Sequence, residues 1–450
     1  MMDYISAVNY IESIPMLASK RKPENTTQLL KLLGDPLKSH DAVHIAGTNG
    51  KGSVSKMLSL MLEQAGYKTG LFISPHLIKI NERISVNRQD ISDEDFAGAA
   101  DIVKEAVDKA IEKDLAVHPA YFEFLFLCAA VYFKNAGCDI VVYETGLGGR
   151  LDATNSVDPL ACGITSIGLD HMQYLGNTID SIAYEKAGII KPGVPVIYHI
   201  NESSADDVIT ETADRLSSCA IGISSDKNNG FTGITDTKGF FTPDEISTIK
   251  SIDTKDLFGS YMPPYQYDNL YTAAALFAAV MKSIDDGNLQ IQKDRFTDIV
   301  RSSAKKFEWQ GRMQELAANI ILDGAHNDHA VTRLVQAAQE LKKNKGFKGI
   351  RLMFSVCSDK DYENMILTFC KKLKPERVYV TELDSDRRLS SDKAAKLFEA
   401  HLPKGSLLFC ISDPVKTYKS AVSELPEDSL LIISGSLYMA GLILSLSKTD

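Results

Sequence analysis

The chain has no excess of basic residues: 49 lysines and arginines stand against 59 aspartates and glutamates, a formal net charge of −10. Duplex DNA and anionic membranes are bound through a basic face, so neither is an expected partner, and a polyanionic ligand has to be held by local donors. Cysteine is scarce as well. The seven, at positions 128, 138, 162, 219, 357, 370 and 410, are scattered, odd in number and without a CxxC pair. No disulfide framework or zinc knuckle is legible, and a reducing cytoplasm is the expected compartment. The opening Met1-Met2-Asp3-Tyr4-Ile5-Ser6 lacks the basic segment and apolar core of a secretory signal. Long apolar runs are also rare. The exception, Leu430 to Ser447, is uncharged and about the length of a membrane span, but Ser434-Gly435-Ser436 interrupts it, so it reads as a buried strand, a tight loop and a helix.

What is present is an ordinary globular composition, with 450 residues, 44% apolar and 24% charged. At about 150 residues per domain that is two or three domains with large cores. The apolar run 42–46 reads as a buried strand feeding a glycine-rich turn. From Ser53 the residues Val54, Met57, Leu58, Met61, Leu62 and Ala65 fall at helical spacing, and Gly66 ends the helix. Strands at 69–74, 139–144 and 162–167, with helices at 95–112, 121–135 and 178–190, continue the pattern. The apolar Ile140-Val141-Val142-Tyr143 suits a parallel sheet covered on both faces. Residues 220–262, rich in Gly and Thr, read as a small antiparallel insertion. Helices follow at 266–282 and 294–305. Strands near 318–322, 350–355, 376–381, 407–411 and 429–434 then alternate with helices at 328–342, 361–373, 391–401, 414–424 and 436–446. The expected fold is α/β, a parallel-sheet domain over 1–308 carrying a phosphate loop, a linker at 309–312 and a smaller Rossmann-like α/β domain over 313–450.

Gly47-Thr48-Asn49-Gly50-Lys51-Gly52-Ser53 lies between that first strand and helix, where backbone N–H groups and a helix N-terminus converge on a phosphate and Lys51 adds a cation. It is a variant of G-x-x-x-x-G-K-[ST], with the first glycine nearer and Gly52 before Ser53. A plain glycine-rich turn is the competing reading. Glu144 ends the strand 139–143 at the carboxyl edge of the sheet, where a carboxylate can hold Mg²⁺ or pair with Arg150. His171 follows the strand 162–167 onto the same edge, although imidazole is an unusual ligand for Mg²⁺. Asp323, after the strand 318–322, can accept hydrogen bonds from a ribose or adenine, or cap the turn together with Asn327. Ser358-Asp359-Lys360-Asp361 occupies a similar edge, where capping and binding of an amino-acid substrate are both open.

The run 46–53 (A-G-T-N-G-K-G-S), Ser74-Pro75-His76-Leu77 and Asn81-Glu82-Arg83-Ile84 strongly resemble the folylpolyglutamate synthase and dihydrofolate synthase family, a branch of the Mur-type ATP-dependent amide ligases. Tyr121-Phe122-Glu123-Phe124, the run 144–155 (E-T-G-L-G-G-R-L-D-A-T-N), Leu169-Asp170-His171, Glu185-Lys186-Ala187-Gly188, Asn269, Gly311-Arg312 and Asp323-Gly324-Ala325-His326-Asn327 follow in family order.

The resemblance implies a ligase that phosphorylates a carboxylate with ATP and couples the acyl phosphate to the amine of L-glutamate. It implies ATP contacts from Thr48, Asn49, Gly50, Lys51, Gly52, Ser53, Asn269, Arg312, Asp323 and His326. Ser74, Glu144 and His171 would be Mg²⁺ ligands, and Lys186, carbamylated, would hold a second Mg²⁺. Lys51, His171 and Lys186 would serve catalysis. Ala120, Tyr121, Phe122, Glu123, Leu151, Asp152 and Ala153 would surround a pterin, with Phe122 stacking and Asp152 hydrogen-bonding. From pattern alone, Phe122 reads as core and Lys186 as the end of a capped helix. An unperturbed lysine is neutral only about one part in 2,500 at pH 7, so carbamylation requires a desolvated amine or a trapped product. The partners implied are folate or dihydropteroate, L-glutamate and ATP, acted on by a monomer; the L-D-A-T-N run points to dihydrofolate synthase activity as well. A peptidoglycan-precursor ligase and a non-catalytic ATP switch are the competing functions.

Overall fold

The computed structural model describes residues 2–16, 23–201, 203–226, 230–252, 257–258, 262–285, 287, 289–383 and 385–447. Its contacts divide the chain into two units, Met1–Ser260 with Gln266–Phe307, and Tyr261–Tyr265 with Glu308–Asp450.

The first unit is built on nine strands: β1 (Asp41–Ala46), β2 (Thr69–Phe72), β3 (Ile84–Val86), β4 (Gln89–Asp90), β5 (Ile140–Glu144), β6 (Pro159–Ile164), β7 (Val196–His199), β8 (Ala220–Asp226) and β9 (Gly230–Asp236). They lie in the order β4-β3-β2-β5-β1-β6-β7-β8-β9. From β2 through β8 the pairing is parallel, and β3, β4 and β9 close the two edges antiparallel. Every residue of β5 is buried, as strands of a doubly covered sheet must be. On one face, Phe126 and Phe133 of the helix Tyr121–Ala136 close on Tyr143, and Phe126 also meets Phe72. On the sheet's β6–β7 side, Ile182, Ala183 and Ala187 of the helix Ile179–Ala187 pack with Ala46, Cys162 and Ile164. The helix Lys51–Ala65 buries Val54, Met57, Leu58, Met61 and Leu62, the stripe its sequence spacing defines, and ends on Gly66 at φ 106°.

The register matters for the site. Ile45 pairs with Glu144 and Ala46 with Ile164, so β1, β5 and β6 end side by side, with Phe72 of β2 beside Tyr143. The segments after them, from 47, 73, 145 and 165, leave the sheet at one edge, where open parallel sheets bind ligands.

Of the segment 220–262, residues 227–229, 253–256 and 259–261 lie outside the described residues; the strands it contains are not an insertion of their own. Strand β8 pairs parallel with β7, β9 returns antiparallel, and both extend the main sheet before the helix Pro243–Lys250. The alternation in the sequence was that of an edge hairpin, and its attachment to β7, a long-range pairing, is invisible in a local pattern.

The second unit has six strands: β10 (Gln314–Ala317), β11 (Ile320–Asp323), β12 (Gly349–Phe354), β13 (Arg377–Val380), β14 (Leu407–Cys410) and β15 (Ser429–Ser434), in the order β10-β11-β15-β12-β13-β14. All but β10 run parallel. The uncharged stretch after Ser429 is the fully buried central β15, a turn at Gly435 (φ 118°) and the helix Leu437–Ser447. Among the described residues no helix is long and apolar enough to cross a membrane, and the seven cysteines are free.

Candidate active site

The glycines of the phosphate loop are required by close approach. A Cβ on Gly47 (φ 147°) would lie 1.8 Å from Thr165 Oγ1, and one on Gly50 (φ 93°) 2.4 Å from Asn269 Oδ1. Thr48 and Asn49 donate their amides to Ser166 O at 2.9 and 3.4 Å, and Gly168 N donates to Thr48 Oγ1 at 3.1 Å, which ties the loop to the segment after β6. Gly50, at the cap of the helix Lys51–Ala65, offers no side-chain acceptor, whereas Ser92 caps the helix Asp93–Glu112 and Thr178 the helix Ile179–Ala187. The first turn 51–53 is therefore a donor set without a side-chain acceptor of its own, suited to a phosphate.

Asn269 stands at this loop, beside Gly50. It donates through Nδ2 to Gln266 Oε1 (2.9 Å), and Gln266 Nε2 reaches Ser53 Oγ at 3.4 Å. Gln266 was not a sequence candidate. Its signal was the spacing, one turn before Asn269 on the same helix face.

Lys51 Nζ lies 4.0 Å from Glu144 Oε1, and Ser74 N donates to Glu144 Oε2 at 3.0 Å. Glu144 is buried. Lys186 is buried too, and its Nζ donates to Gly47 O at 2.8 Å. Desolvation, and then the neighbouring Lys51, push its amine down to about 7, against the opposing pull of Asp170 and Asp152. Ser74, Glu144 and Lys186 thus gather with Lys51 at the loop. His171, at φ 50°, begins the short helix Met172–Leu175, with Nε2 3.9 Å from Asp170 Oδ2 and its side chain 41% exposed. Among the described residues no three His, Cys, Asp or Glu side chains form a group that could hold a metal.

The turn after β5 is organised by Asp152. Oδ2 accepts from Gly146 N (3.0 Å) and Leu147 N (2.9 Å), and Oδ1 from Thr154 N (3.1 Å) and Thr154 Oγ1 (2.6 Å). These bonds give the Asp152 carboxylate a loop-holding role in the turn where the pterin contact was expected. Similarly, Glu123 Oε2 accepts from Ala120 N at 2.8 Å, capping its own helix. Phe122 is half-buried, its ring 5.5 Å from that of Phe72, and a Cβ on Gly146 would come within 2.7 Å of it. Tyr121 is buried beneath the Arg83 guanidinium, 5.5 Å away, and Arg83 Nε donates to His76 Nδ1 at 2.9 Å. Ala120 and Ala153 are buried, and Leu151 is exposed.

The same turn interlocks with the end of the helix Ile179–Ala187. A Cβ on Gly149 would fall 2.9 Å from Glu185 O, and one on Gly188 would fall 2.3 Å from Arg150 Cβ. Arg150 donates to Glu185 Oε1 (2.8 Å) and its backbone N to Glu185 O (2.7 Å). This contact fixes the helix turn that carries Lys186.

In the second unit, Asp323 is buried at the end of β11, its Oδ2 accepting from Met313 N and its Oδ1 from Ala325 N, both at 2.8 Å. Burial pushes its carboxyl up, opposed by Arg312. Tyr265 Oη donates to the same Oδ2 at 3.4 Å, so the carboxylate holds its turn while standing at the strand end where the nucleotide contact was expected. A Cβ on Gly324 would lie 3.5 Å from Arg312 Nη1, His326 Nδ1 bonds Gly324 O at 2.8 Å, and Asn327 caps the helix Asp328–Lys345. Asp361 caps the helix Tyr362–Thr368.

The model of the Mur ligase, glutamate ligase domain matches residues 311–437. The dihydrofolate synthase/folylpolyglutamate synthase of Bacillus subtilis (strain 168) is 34% identical over 423 residues, 91% of each chain. Among solved structures, folylpolyglutamate synthase from Thermotoga maritima is 27% identical with a TM-score of 0.74, covering 99% of this chain and 97% of that one. E. coli FolC in complex with DHPP and ADP shares the fold at a TM-score of 0.78 and 23% identity, covering 100% of this chain and 98% of that one.

Proposed function

The chain belongs to the dihydrofolate synthase/folylpolyglutamate synthase family, and on that premise we propose that it joins L-glutamate to a folate-type carboxylate at the expense of ATP, acting on dihydropteroate as well as on folates that already carry glutamate. A carboxylate oxygen attacks the γ-phosphorus and ADP leaves. The glutamate amine then attacks the acyl carbon, inorganic phosphate departs, and the nitrogen loses a proton. The first step brings two anions together, which costs Coulomb energy unless cations and N–H dipoles neutralise the transferring group. The observation that carries this reading is the uncapped first turn 51–53 with Lys51 beside the buried Glu144. Ligation to a folate, rather than to a peptidoglycan precursor or as a switch without turnover, is supported by the likeness to the Bacillus enzyme over nine-tenths of both chains.

Mg²⁺ fits the donor set. That ion is usually held by one or two carboxylates together with substrate phosphates and water, not by an all-protein cage. Glu144 with Ser74, and His171 from the adjoining segment, would hold it, and it would supply positive charge for the phosphate oxygens. A carbamate on Lys186 would add an anionic oxygen for a second ion. Burial pushes the amine well below the ordinary lysine value, which favours the neutral form that adds CO₂ and releases a proton.

The test is to assay the purified chain with Mg-ATP and labelled glutamate, with dihydropteroate and tetrahydrofolate separately. ADP and phosphate should appear only when both substrates are present. AMP release, or turnover that ignores glutamate, overturns the reading, and inactivity toward dihydropteroate alone reduces the enzyme to a polyglutamate extender.

A further inference from the structure

His44 lies in the middle of β1 and is wholly buried. Its Nε2 is 2.8 Å from Thr154 Oγ1, while its Nδ1 is buried with no hydrogen-bond partner among the described residues. The chain of bonds settles who donates. Thr154 has one hydroxyl proton and gives it to Asp152 Oδ1 at 2.6 Å, so Thr154 Oγ1 can only accept from the histidine. His44 is therefore the Nε2–H tautomer, with a bare lone pair on Nδ1. Burial, and secondarily Lys191, hold the ring far below its ordinary value, at about 3, so it stays neutral.

As packing alone this is a poor choice. An apolar side chain would remove a buried polar atom that has no partner, and such atoms destabilise. What His44 provides instead is a donor below the turn after β5. Asp152, held on Oδ1 by Thr154, uses Oδ2 to fix the amides of Gly146 and Leu147. Gly146 in turn is pressed against the Phe122 ring, where a Cβ would intrude to 2.7 Å.

We infer that His44 and Thr154 are positioning residues which, through Asp152, fix the amides of Gly146 and Leu147, with Gly146 against Phe122, and so set the floor on which the aromatic end of the carboxylate substrate is laid. The last link, from floor to substrate, rests on the ligase reading; the hydrogen-bond chain does not. The side-chain bonds of both residues run to each other and to Asp152, away from the phosphate loop, so the effect should fall on one substrate and not on the other.

Thr154→Val removes the hydroxyl at nearly constant volume, and Thr154→Ser keeps it. In Thr154→Val, amide hydrogen exchange at 146–147 should accelerate about tenfold relative to the parent while the helix Lys51–Ala65 is unchanged. The KM for the pteroate substrate should rise about tenfold with the KM for ATP within about twofold, and Thr154→Ser should return both readouts toward parent values. His44→Gln, which can still donate, should be milder than His44→Leu. If His44→Leu does not fold, the threonine pair carries the test. Unchanged exchange at 146–147 in Thr154→Val overturns the inference whatever the activity. So does an equal rise in both KM values, or a lowered melting temperature with no KM split. If the parent makes no folate amide at all, the ligase reading fails, and the exchange experiment still decides whether the chain of bonds holds the loop.

Discussion

The nine-stranded and six-stranded sheets each deliver a strand, a glycine-containing turn and a helix to their carboxyl edge, at Ala46 and at Asp323, and finish the job differently. At Ala46 the following helix has no side-chain cap, Lys51 lies 4.0 Å from Glu144, Glu144 takes the amide of Ser74, and Lys186 donates to Gly47 O. At Asp323 the turn closes on itself: both carboxylate oxygens take backbone amides at 2.8 Å, and Asn327 caps the next helix. Polar groups satisfied locally contribute to stability. Charged side chains gathered at a helix N-terminus add a field that a bound ligand can use, which is where electrostatic catalysis draws its energy. One topology thus carries an edge where cations and a carboxylate gather and an edge where a carboxylate organises its own turn.

The comparison can be broken by substitution. Lys51→Ala should lower ATP turnover by on the order of a thousandfold or more, since it removes the cation at the loop beside Glu144, with turnover and melting temperature measured on the same samples. An active variant would deny the edge its reactive character. Glu144→Gln should cost about a hundredfold at limiting Mg²⁺ and be partly recovered at high Mg²⁺, read from a magnesium titration of initial rates. Asp323→Asn should act on stability instead, placing an NH₂ group against a backbone amide at a cost of about 1–3 kcal/mol in urea unfolding.

A pH series sharpens the contrast further. His40, His44 and His76 are all in the first unit, and burial holds them at about 4, 3 and 4. Their folded values lie below the unfolded one near 6.5, so the unfolded chain binds protons that the folded chain refuses. Their contribution is complete above about 6.5 and is lost as pH falls toward 4, by about 1–2 kcal/mol per histidine between pH 7 and 5. Denaturant titrations at those pH values should show the first unit losing stability, and a first unit indifferent to pH 5 would contradict the burial of these rings. The smallest effect is expected from Asn327→Ala, about 1 kcal/mol for a lost cap, with no change in turnover.

The sequence made the skeleton of the reactive edge legible because its signals are local. A strand such as 140–143, the stripe Val54 to Leu62 and the glycine spacing each report on themselves. What stayed hidden depends on partners far along the chain. Asn269 was anticipated only through resemblance, and Gln266 not at all, since their place beside Ser53 and Gly50 is made by packing across more than two hundred residues. The backbone amides that Asp152 and Glu123 accept were not anticipated, because which backbone groups a carboxylate holds is decided by loop geometry that residue type does not specify. Lys186 was readable as a lysine near a helix end; its burial, which gives the amine its character, was not.

The interlock of Gly149 with Glu185 and of Gly188 with Arg150 has a consequence for how this protein can change. Two segments more than thirty residues apart meet where there is room only for hydrogen atoms, so a side chain gained by either glycine must be absorbed by its opposite number. Each segment thus limits what the other can become: single replacements should be poorly tolerated at both glycines, and a lineage that abandons either one should need to have rebuilt the facing segment first.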